Sequence, residues 1–315
     1  MRDPARHTRG RGRTATIVAG AAMALALVVA GCADLPEGID GDLTADWNGF
    51  EEPTPFMPVG DVCHEEGYRP VTGIAHWDPV DCDEPHLIET VHVGIFPDEP
   101  AEQDSPPAVD SEAHRAAYRV CEANAEEYLG EDFRYGRLWL GVALPSQEAW
   151  DGGARWFRCD LTELDSVTGE PVLREGSLSG QLADEDSDLR LGCFQVAVDD
   201  DGVVSERTPV SCDEPHQAEF VGVWRAPDGP YPDADAGGDA VEAVYDGCRS
   251  EIAAYTDVPD DDDVRFRVGA IADWMSPQDW QAGDRGFRCY LWVTDRELEE
   301  SLEGAGPDEL PVRTE

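Results

Sequence analysis

The sequence contains no lysine, so all of its basic charge comes from arginine. It has 23 basic residues against 68 acidic ones, which gives a formal net charge of −45. Nucleic acids and anionic lipid surfaces both attract proteins through clustered positive charge. The small number of basic residues therefore argues against nucleic-acid binding and against a protein that lies flat on an anionic membrane. It is consistent with a highly soluble domain, and a basic partner is a second interpretation.

One long apolar stretch, at residues 14–31, follows five arginines near the N-terminus. It has the length of a signal-peptide core and is short for a membrane span. It ends in Val-Ala-Gly before Cys32, which looks like a lipobox, where the cysteine is lipidated and becomes the new N-terminus. The alternative is a simple N-terminal membrane anchor. Positive residues before the stretch place residues 33 onward outside in either case, so we predict a protein held on the outer face of the cytoplasmic membrane.

The other eight cysteines form an even set, which in an exported chain is typical of disulfide bonds. They fall into two groups of four, and equivalent cysteines are 130, 130, 127 and 130 positions apart. Such offsets indicate an internal duplication. The equivalent pairs are Cys63 and Cys193, Cys82 and Cys212, Cys121 and Cys248, and Cys159 and Cys289.

Two motifs repeat with the same offset of 130 positions. The sequence Cys-Asp-Glu-Pro-His occurs at 82–86 and 212–216, and W-x-x-G-x-R-x-F-R-C occurs at 150–159 and 280–289. A period of this length is a whole domain. The predicted organisation is a signal peptide (1–31), an acidic flexible linker (32–58), a first domain (59–163), a linker (164–188), a second domain (189–297) and a charged tail (298–315).

The cysteine spacing predicts a hairpin at the start of each domain. Asp201-Gly202 is a turn signal midway between Cys193 and Cys212, and Thr72-Gly73 holds the same place between Cys63 and Cys82. Cysteines placed symmetrically about a turn lie opposite each other across a hairpin, within the short Cα spacing that a disulfide needs. We therefore pair Cys63 with Cys82 and Cys193 with Cys212.

A helix follows in each domain, and its apolar spacing places one cysteine toward the sheet. The apolar residues between Val241 and Tyr255 recur at spacings of three, four and seven, and this helical face includes Cys248. The first helix runs from near Ser111 to Leu129. We predict the pairs Cys121–Cys159 and Cys248–Cys289, although four cysteines allow three pairings and the others stay open. The fold class is α+β: two similar domains, each an antiparallel sheet with one main helix packed on it and two disulfides.

The repeated Cys-Asp-Glu-Pro-His motif has a structural and a catalytic interpretation. In the structural one, proline disfavours helix before it, and the acid and histidine bond backbone groups at a corner of the chain. In the catalytic one, Glu84 with His86, and Glu214 with His216, form general acid–base pairs. No nucleophile recurs beside them in a recognised motif, and one histidine with one acid falls short of a zinc site. We predict a corner, with no catalytic residue, metal or cofactor.

The later motif also has two interpretations. Its tryptophan and arginine could form a stacked surface for peptidoglycan, a glycan or a protein tail, or they could pack in the core. We favour the core, because a large aromatic residue that recurs between domains usually marks packing. The residues are Trp150 and Arg155 in the first domain and Trp280 and Arg285 in the second.

In combination, these features resemble the septum-formation domain. They are C-x-E-P-H after a hairpin, a cysteine in the helix, and the late W-x-x-G-x-R-x-x-C, and the likeness covers 59–161 and 190–294 as two tandem copies. The resemblance implies an exported or membrane-anchored protein of actinobacteria, often a lipoprotein. The family name suggests a role in cell division or the envelope, and the resemblance implies no established reaction.

We therefore expect a lipoprotein that acts as a non-catalytic binding module in septum formation or envelope assembly. Its expected contacts are the membrane, through the lipid on Cys32, and an unknown envelope protein or cell-wall component. One alternative is a hydrolase that uses His86 or His216, and another is a purely structural spacer.

Overall fold

Two five-stranded sheets, each with one long helix on one face, make up the fold of the described residues. The computed structural model describes residues 54–200 and 202–313. We call residues 54–190 the first half and residues 191–313 the second half. The strands of the first half are β1 (Val62–His64), β2 (Val71–Thr72), β3 (Ile88–Ile95), β4 (Leu138–Pro145) and β5 (Trp156–Glu163). Those of the second half are β6 (Cys193–Val198), β7 (Val204–Val210), β8 (Ala218–Arg225), β9 (Gly269–Asp273) and β10 (Gly286–Trp292).

The helices follow the same order in both halves. The two long ones are α2 (Glu112–Leu129) and α4 (Asp239–Thr256), and the short ones are α1 (Asp98–Ala101), α3 (Gln147–Asp151) and α5 (Pro277–Ala282). The strand order is β1-β3-β5-β4-β2 in the first sheet and β7-β6-β8-β10-β9 in the second. The predicted α+β class, with two similar units of a sheet and one main helix, is confirmed, and the sheets are antiparallel except at the β2–β4 pair.

Local sequence sets the ends of α2. The Ser111 side chain accepts a hydrogen bond from the backbone N–H of His114, and Gly130 ends the helix in the left-handed region at φ 89°. The buried face of α2 carries Cys121, and that of α4 carries Cys248. Both cysteines therefore face their sheets, as the helical spacing predicts.

Four disulfides fix the helices and the first strands. One bond in each half joins the long helix to the strand that follows α3 or α5, and the other joins β1 or β6 to the Cys-Asp-Glu-Pro-His corner. Their Cα–Cα distances are 5.1–5.2 Å, within the usual disulfide range. They are the pairs predicted from the spacing: Cys63–Cys82, Cys121–Cys159, Cys193–Cys212 and Cys248–Cys289.

The predicted hairpin forms in the second half and not in the first. β6 pairs with β7 in antiparallel register, and Gly202, at φ 79°, lies in the turn between them; Asp201 lies outside the described residues. The expected Thr72-Gly73 turn is wrong, because β2 crosses to the far edge of its sheet and pairs in parallel with β4.

A crossing segment, residues 65–79, explains this difference. It covers the face of the first sheet opposite α2, which we call the outer face, and its Tyr68 hydroxyl donates a hydrogen bond to the Val142 carbonyl at 2.8 Å. A Cβ at Gly141 would lie 2.5 Å from the Tyr68 ring, so this glycine makes room for the segment. The equivalent position in the second sheet, 130 residues later, is Ile271.

The segments predicted as a linker and a charged tail both contribute buried leucines. Backbone bridges join His86 to Arg174 and His216 to Leu298, so each segment returns to the corner of its own half. The predicted domain boundaries themselves stay a prediction. The buried leucines are Leu178 and Leu182 in the first segment and Leu298, Leu302 and Leu310 in the second.

No helix in the described ranges is long and apolar enough to cross a bilayer. The predicted signal peptide, Cys32 and most of the acidic linker lie outside those ranges.

The helix-to-sheet disulfide makes a testable contribution to stability. Replacing both Cys248 and Cys289 with alanine opens a loop with a sequence separation of 41, and we expect the free energy of unfolding to fall by roughly 2–5 kcal/mol. Urea denaturation of the oxidised wild-type and variant chains measures the difference. A loss below about 1 kcal/mol would contradict the assigned role of this bond.

Candidate functional site

The imidazole of His86 is enclosed, with both ring nitrogens in use. Its Nδ1 lies 2.8 Å from the Glu84 carbonyl oxygen, and its Nε2 lies 3.0 Å from Oε1 of Glu89. Because a carbonyl oxygen only accepts, Nδ1 is the donor in the contact with Glu84. The residue is 0% exposed to solvent. The corner is therefore held by the carbonyl of Glu84 and the carboxyl group of Glu89.

Glu89 collects hydrogen bonds from distant parts of the first half. Its Oε2 accepts from the Tyr128 hydroxyl at 2.9 Å and from the Ser177 hydroxyl at 3.2 Å, and its Oε1 accepts from the Leu178 N–H at 2.8 Å. A buried carboxylate is tolerated when it is hydrogen-bonded in this way. We call His86, Glu89, Tyr128, Ser177 and Leu178 the first corner network.

The second half contains the same arrangement. His216 lies 2.8 Å from the Glu214 carbonyl and 3.1 Å from Oε1 of Glu219. The Glu219 carboxyl group accepts from the Tyr255 hydroxyl at 2.8 Å, the Ser301 hydroxyl at 2.8 Å and the Leu302 N–H at 3.0 Å. The second corner network is His216, Glu219, Tyr255, Ser301 and Leu302.

Sequence reasoning missed three members of each network. Glu89 and Glu219 were not singled out, and the serine–leucine pairs were assigned to a linker and a tail. A signal was present: Ser-Leu-x-Gly occurs at 177–180 and again at 301–304, an offset of 124 rather than 130.

The two histidine rings are enclosed by their networks. His216, like His86, is 0% exposed, so neither ring can contact a bound molecule without local opening. The sulfur atoms of Cys63 and Cys193 lie within 4.8 Å of the histidine and glutamate ligand atoms. Both are in disulfides, and a metal ligand must be a free thiolate.

The side chains of Glu84 and Glu214, two of the predicted motif residues, do not contact the histidine of their motif. Both residues are exposed, and each meets its histidine through the backbone carbonyl instead. The structure therefore does not bring the predicted acid–base pairs together through their side chains.

Trp150 and Arg155 form a clamp on the loop that precedes α2. The guanidinium carbon of Arg155 lies 4.2 Å from the Trp150 ring centre, and the indole is 1% exposed. Trp150 donates to the Gln103 carbonyl at 2.7 Å, and Arg155 donates to the Ala101 carbonyl at 2.6 Å. The stacked pair is thus used to hold the loop in place.

Trp280 and Arg285 repeat the clamp in the second half. Their stacking distance is 4.0 Å, and Trp280 is 6% exposed. Trp280 donates to the Gly229 carbonyl at 3.2 Å, and Arg285 donates to the Asp228 carboxylate at 3.2 Å. In both halves the tryptophan is core, which agrees with the favoured interpretation, and the flat stacking surface for a glycan is not formed.

The outer faces of the two sheets differ. Under the crossing segment, Asp160 accepts from Thr90 at 2.8 Å and from Arg158 at 2.7 Å, and Thr90 lies 3.3 Å from His64. Burial raises the pKa of Asp160 despite the attraction of Arg158. The equivalent positions of the second sheet carry an aromatic cluster of Phe194, Phe220 and Tyr290.

A buried arginine joins the two halves. Arg134 is fully buried and lies 2.6 Å from Asp284, 3.1 Å from Asp132 and 2.6 Å from Glu122. Arg225 of the second half lies 2.9 Å from the same Glu122. Three carboxylates thus surround one buried cation, which fixes the junction because a buried charge requires such partners.

Two of the cavities in the described part of the chain are lined by residues of both halves and contain several aromatic side chains. One cavity of about 660 Å³ is lined by Tyr68 and Trp139 of the first half and by Trp274 of the second. The other, of about 780 Å³, follows β9 and has Phe194 and Trp292 in its wall. Both have the size and aromatic lining of ligand sites. None of the eight motif side chains predicted as candidates lines either of these two cavities, but Trp280 and Arg285 line a smaller one of about 350 Å³.

The fold and the repeated corner networks define a disulfide-linked α+β protein of two similar halves. A family model described as septum formation matches residues 62–300, a single span that covers both halves. The chain therefore belongs to the septum-formation family. Searches of curated proteins and of solved structures gave no match.

The corner networks predict a contrast between two glutamates of the second half. Glu219→Ala leaves the buried His216 without its carboxyl partner, so we expect a loss of roughly 3–5 kcal/mol in the free energy of unfolding. Glu214→Ala is the matched control: its side chain is exposed, so a change within about 0.5 kcal/mol is expected. Urea denaturation measures both variants. Equal losses in the free energy of unfolding would show that the Glu219 carboxyl group does not stabilise the corner.

Burial of His64 predicts a pH dependence. Burial, with Arg158 nearby, lowers the pKa of His64 from 6.5 to about 4, so between these values the unfolded chain binds more protons than the folded chain. This contribution to stability is present above pH 6.5 and is lost as the pH falls toward 4.

The variant His64→Phe tests this, because phenylalanine occupies the equivalent position 194. We expect its free energy of unfolding to fall less than that of the wild-type chain between pH 7 and pH 4.5 in urea titrations. Identical losses in the two chains would rule out His64 as a source of the dependence.

Proposed function

We propose that this protein is an exported lipoprotein, anchored through Cys32, that acts as a non-catalytic binding module in cell division or envelope assembly. The observation that carries the proposal is the contrast between its repeated polar residues and its cavities. His86, Glu89, His216 and Glu219 are buried inside the corner networks, whereas the two concave surfaces are lined by a mixture of aromatic, aliphatic and polar side chains from outside those networks. Membership of the septum-formation family supports the division role.

The sequence before the folded part supports the anchor. Five arginines, an apolar stretch and Val-Ala-Gly-Cys form the pattern of a lipoprotein signal, and cleavage before Cys32 would remove those arginines together with one acid, Asp3. The remaining chain would be more acidic still, and anionic lipid would repel it. The predicted acidic linker, residues 32–58, would then hold the folded part away from the bilayer while the lipid keeps it near.

Burial disfavours the hydrolase alternative at the predicted histidines. A general acid or base must reach the reacting atom within hydrogen-bond distance. His86 and His216 are enclosed and already bonded at both nitrogens. A spacer role remains the second candidate, and the Arg134 junction favours it, because that junction makes the two halves a stiff unit.

Fractionation and cell length test the proposal together. In cells that lack the protein, we expect longer cells with delayed septa, and the wild-type chain should restore normal length from the membrane fraction. Cys32→Ser should release the chain from the membrane and restore length poorly. Ala33→Ser, which leaves the cysteine in place, is the control.

Two results would contradict the proposal. Membrane retention of the Cys32→Ser chain would argue for a span instead of a lipid anchor. Normal division in the cells that lack the protein would remove the division role.

A further inference from the structure

The two halves differ at one edge of each sheet. The strand that follows the first disulfide cysteine is β2 in the first half and β7 in the second. β2 pairs with β4, whereas β7 stays beside β6. As a result, β9, the equivalent of β4, ends its sheet and pairs only with β10 among the described strands.

The backbone donors that hold β2 have free equivalents in the second half. The Leu144 N–H donates to the Pro70 carbonyl at 2.9 Å, and the Ser146 N–H donates to the Thr72 carbonyl at 2.7 Å. The equivalent residues, 130 positions later, are Trp274 and Ser276. Within residues 54–200 and 202–313, neither of their N–H groups donates to a backbone carbonyl. The second sheet thus has the equivalent backbone N–H groups, but among the described residues it has no strand equivalent to β2 that would accept hydrogen bonds from them.

A cavity of about 780 Å³ runs along this edge. One wall is formed by residues 270–274, and residues 165–168 of the first half lie on the other side. Phe194, Tyr290 and Trp292 provide an aromatic lining. This volume lies within the range of sites that enclose a ligand.

The partly buried Arg207 lines the same cavity. The Arg207 guanidinium pairs with Asp273 through Nη2, and Tyr290 donates to the same carboxylate at 2.7 Å. Nη1 of Arg207 is buried and has no hydrogen-bond partner in the described part of the chain. The guanidinium carbon lies 4.4 Å from the centre of the Tyr290 ring, so this cation is already packed against the aromatic lining of the cavity.

We propose that the edge of β9 binds an extended segment of a partner polypeptide, which adds a parallel strand where β2 lies in the first half. Main-chain pairing on a sheet edge is an established mode of peptide recognition. The net charge of −45 favours a segment rich in lysine or arginine. The proposal rests on the proposed function only in treating the chain as a binding module, and it can fail while the anchor and the division role stand.

A peptide of five Lys-Val repeats is a suitable probe for the full-length chain, with five Glu-Val repeats as the charge control. We expect the basic peptide to bind at least tenfold more tightly in titration calorimetry, with an affinity that falls as salt is raised. Hydrogen exchange on the wild-type chain should slow at residues 270–276 when the peptide is present. Equal binding of the two peptides, or protection confined to other strands, overturns the proposal.

Two variants at one position separate backbone pairing from side-chain contact. Trp274→Pro removes the free N–H, and we expect it to weaken binding of the basic peptide at least tenfold relative to Trp274→Ala, which keeps the N–H. Equal affinity of the two variants would overturn the proposal. If the proline variant does not fold, the exchange pattern of the wild-type chain decides the question alone.

Discussion

One buried carboxyl group in each half determines how three distant stretches of chain meet. Glu89 binds the corner through His86, the end of α2 through Tyr128, and the returning segment through the Leu178 N–H. An unpaired carboxylate in this place would cost several kcal/mol, so the three stretches are stable only together. The disulfide at each corner then ties the same region to the first strand of its sheet. The Cys-Asp-Glu-Pro-His motif recurs because this whole arrangement recurs.

The sequence predicts the parts of this fold that local spacing determines. Helical periodicity placed the helix cysteines toward the sheets, and the nearly equal cysteine offsets indicated a duplication. The turn midpoints and the inward helix cysteines predicted the four pairs that the structure contains. Local spacing could not predict the corner networks, because Glu89 is hydrogen-bonded to Ser177 and Leu178, which lie almost ninety residues away in the sequence. Those two lie in a polar segment whose composition is typical of a linker. Their repeat in the second half has a different offset, so a search at 130 positions passes over it.

The first hairpin was mispredicted for a related reason. A midpoint between two cysteines shows where a chain can turn, but it does not show which edge the second arm reaches. In the second half, Gly202 allows a tight turn. In the first half, Gly141 leaves room for Tyr68 on the outer face, and Trp77 packs its ring 5.0 Å from that of His64. These contacts lie far apart in sequence, so they escape a local pattern.

The different positions of β2 and β7 leave the two sheets with different outer faces and different edges. The first half covers its outer face with its own crossing segment and completes the edge of β4 with its own strand. The second half keeps the scaffold, with the same corner network and the same Trp–Arg clamp, but no strand among the described residues pairs with the outer edge of β9. Proteins usually cover or shorten exposed edges because these pair with other chains. The β9 edge, which has no further strand among the described residues and lies beside a cavity with aromatic side chains, is therefore the place where the two similar halves differ in what another chain could pair with.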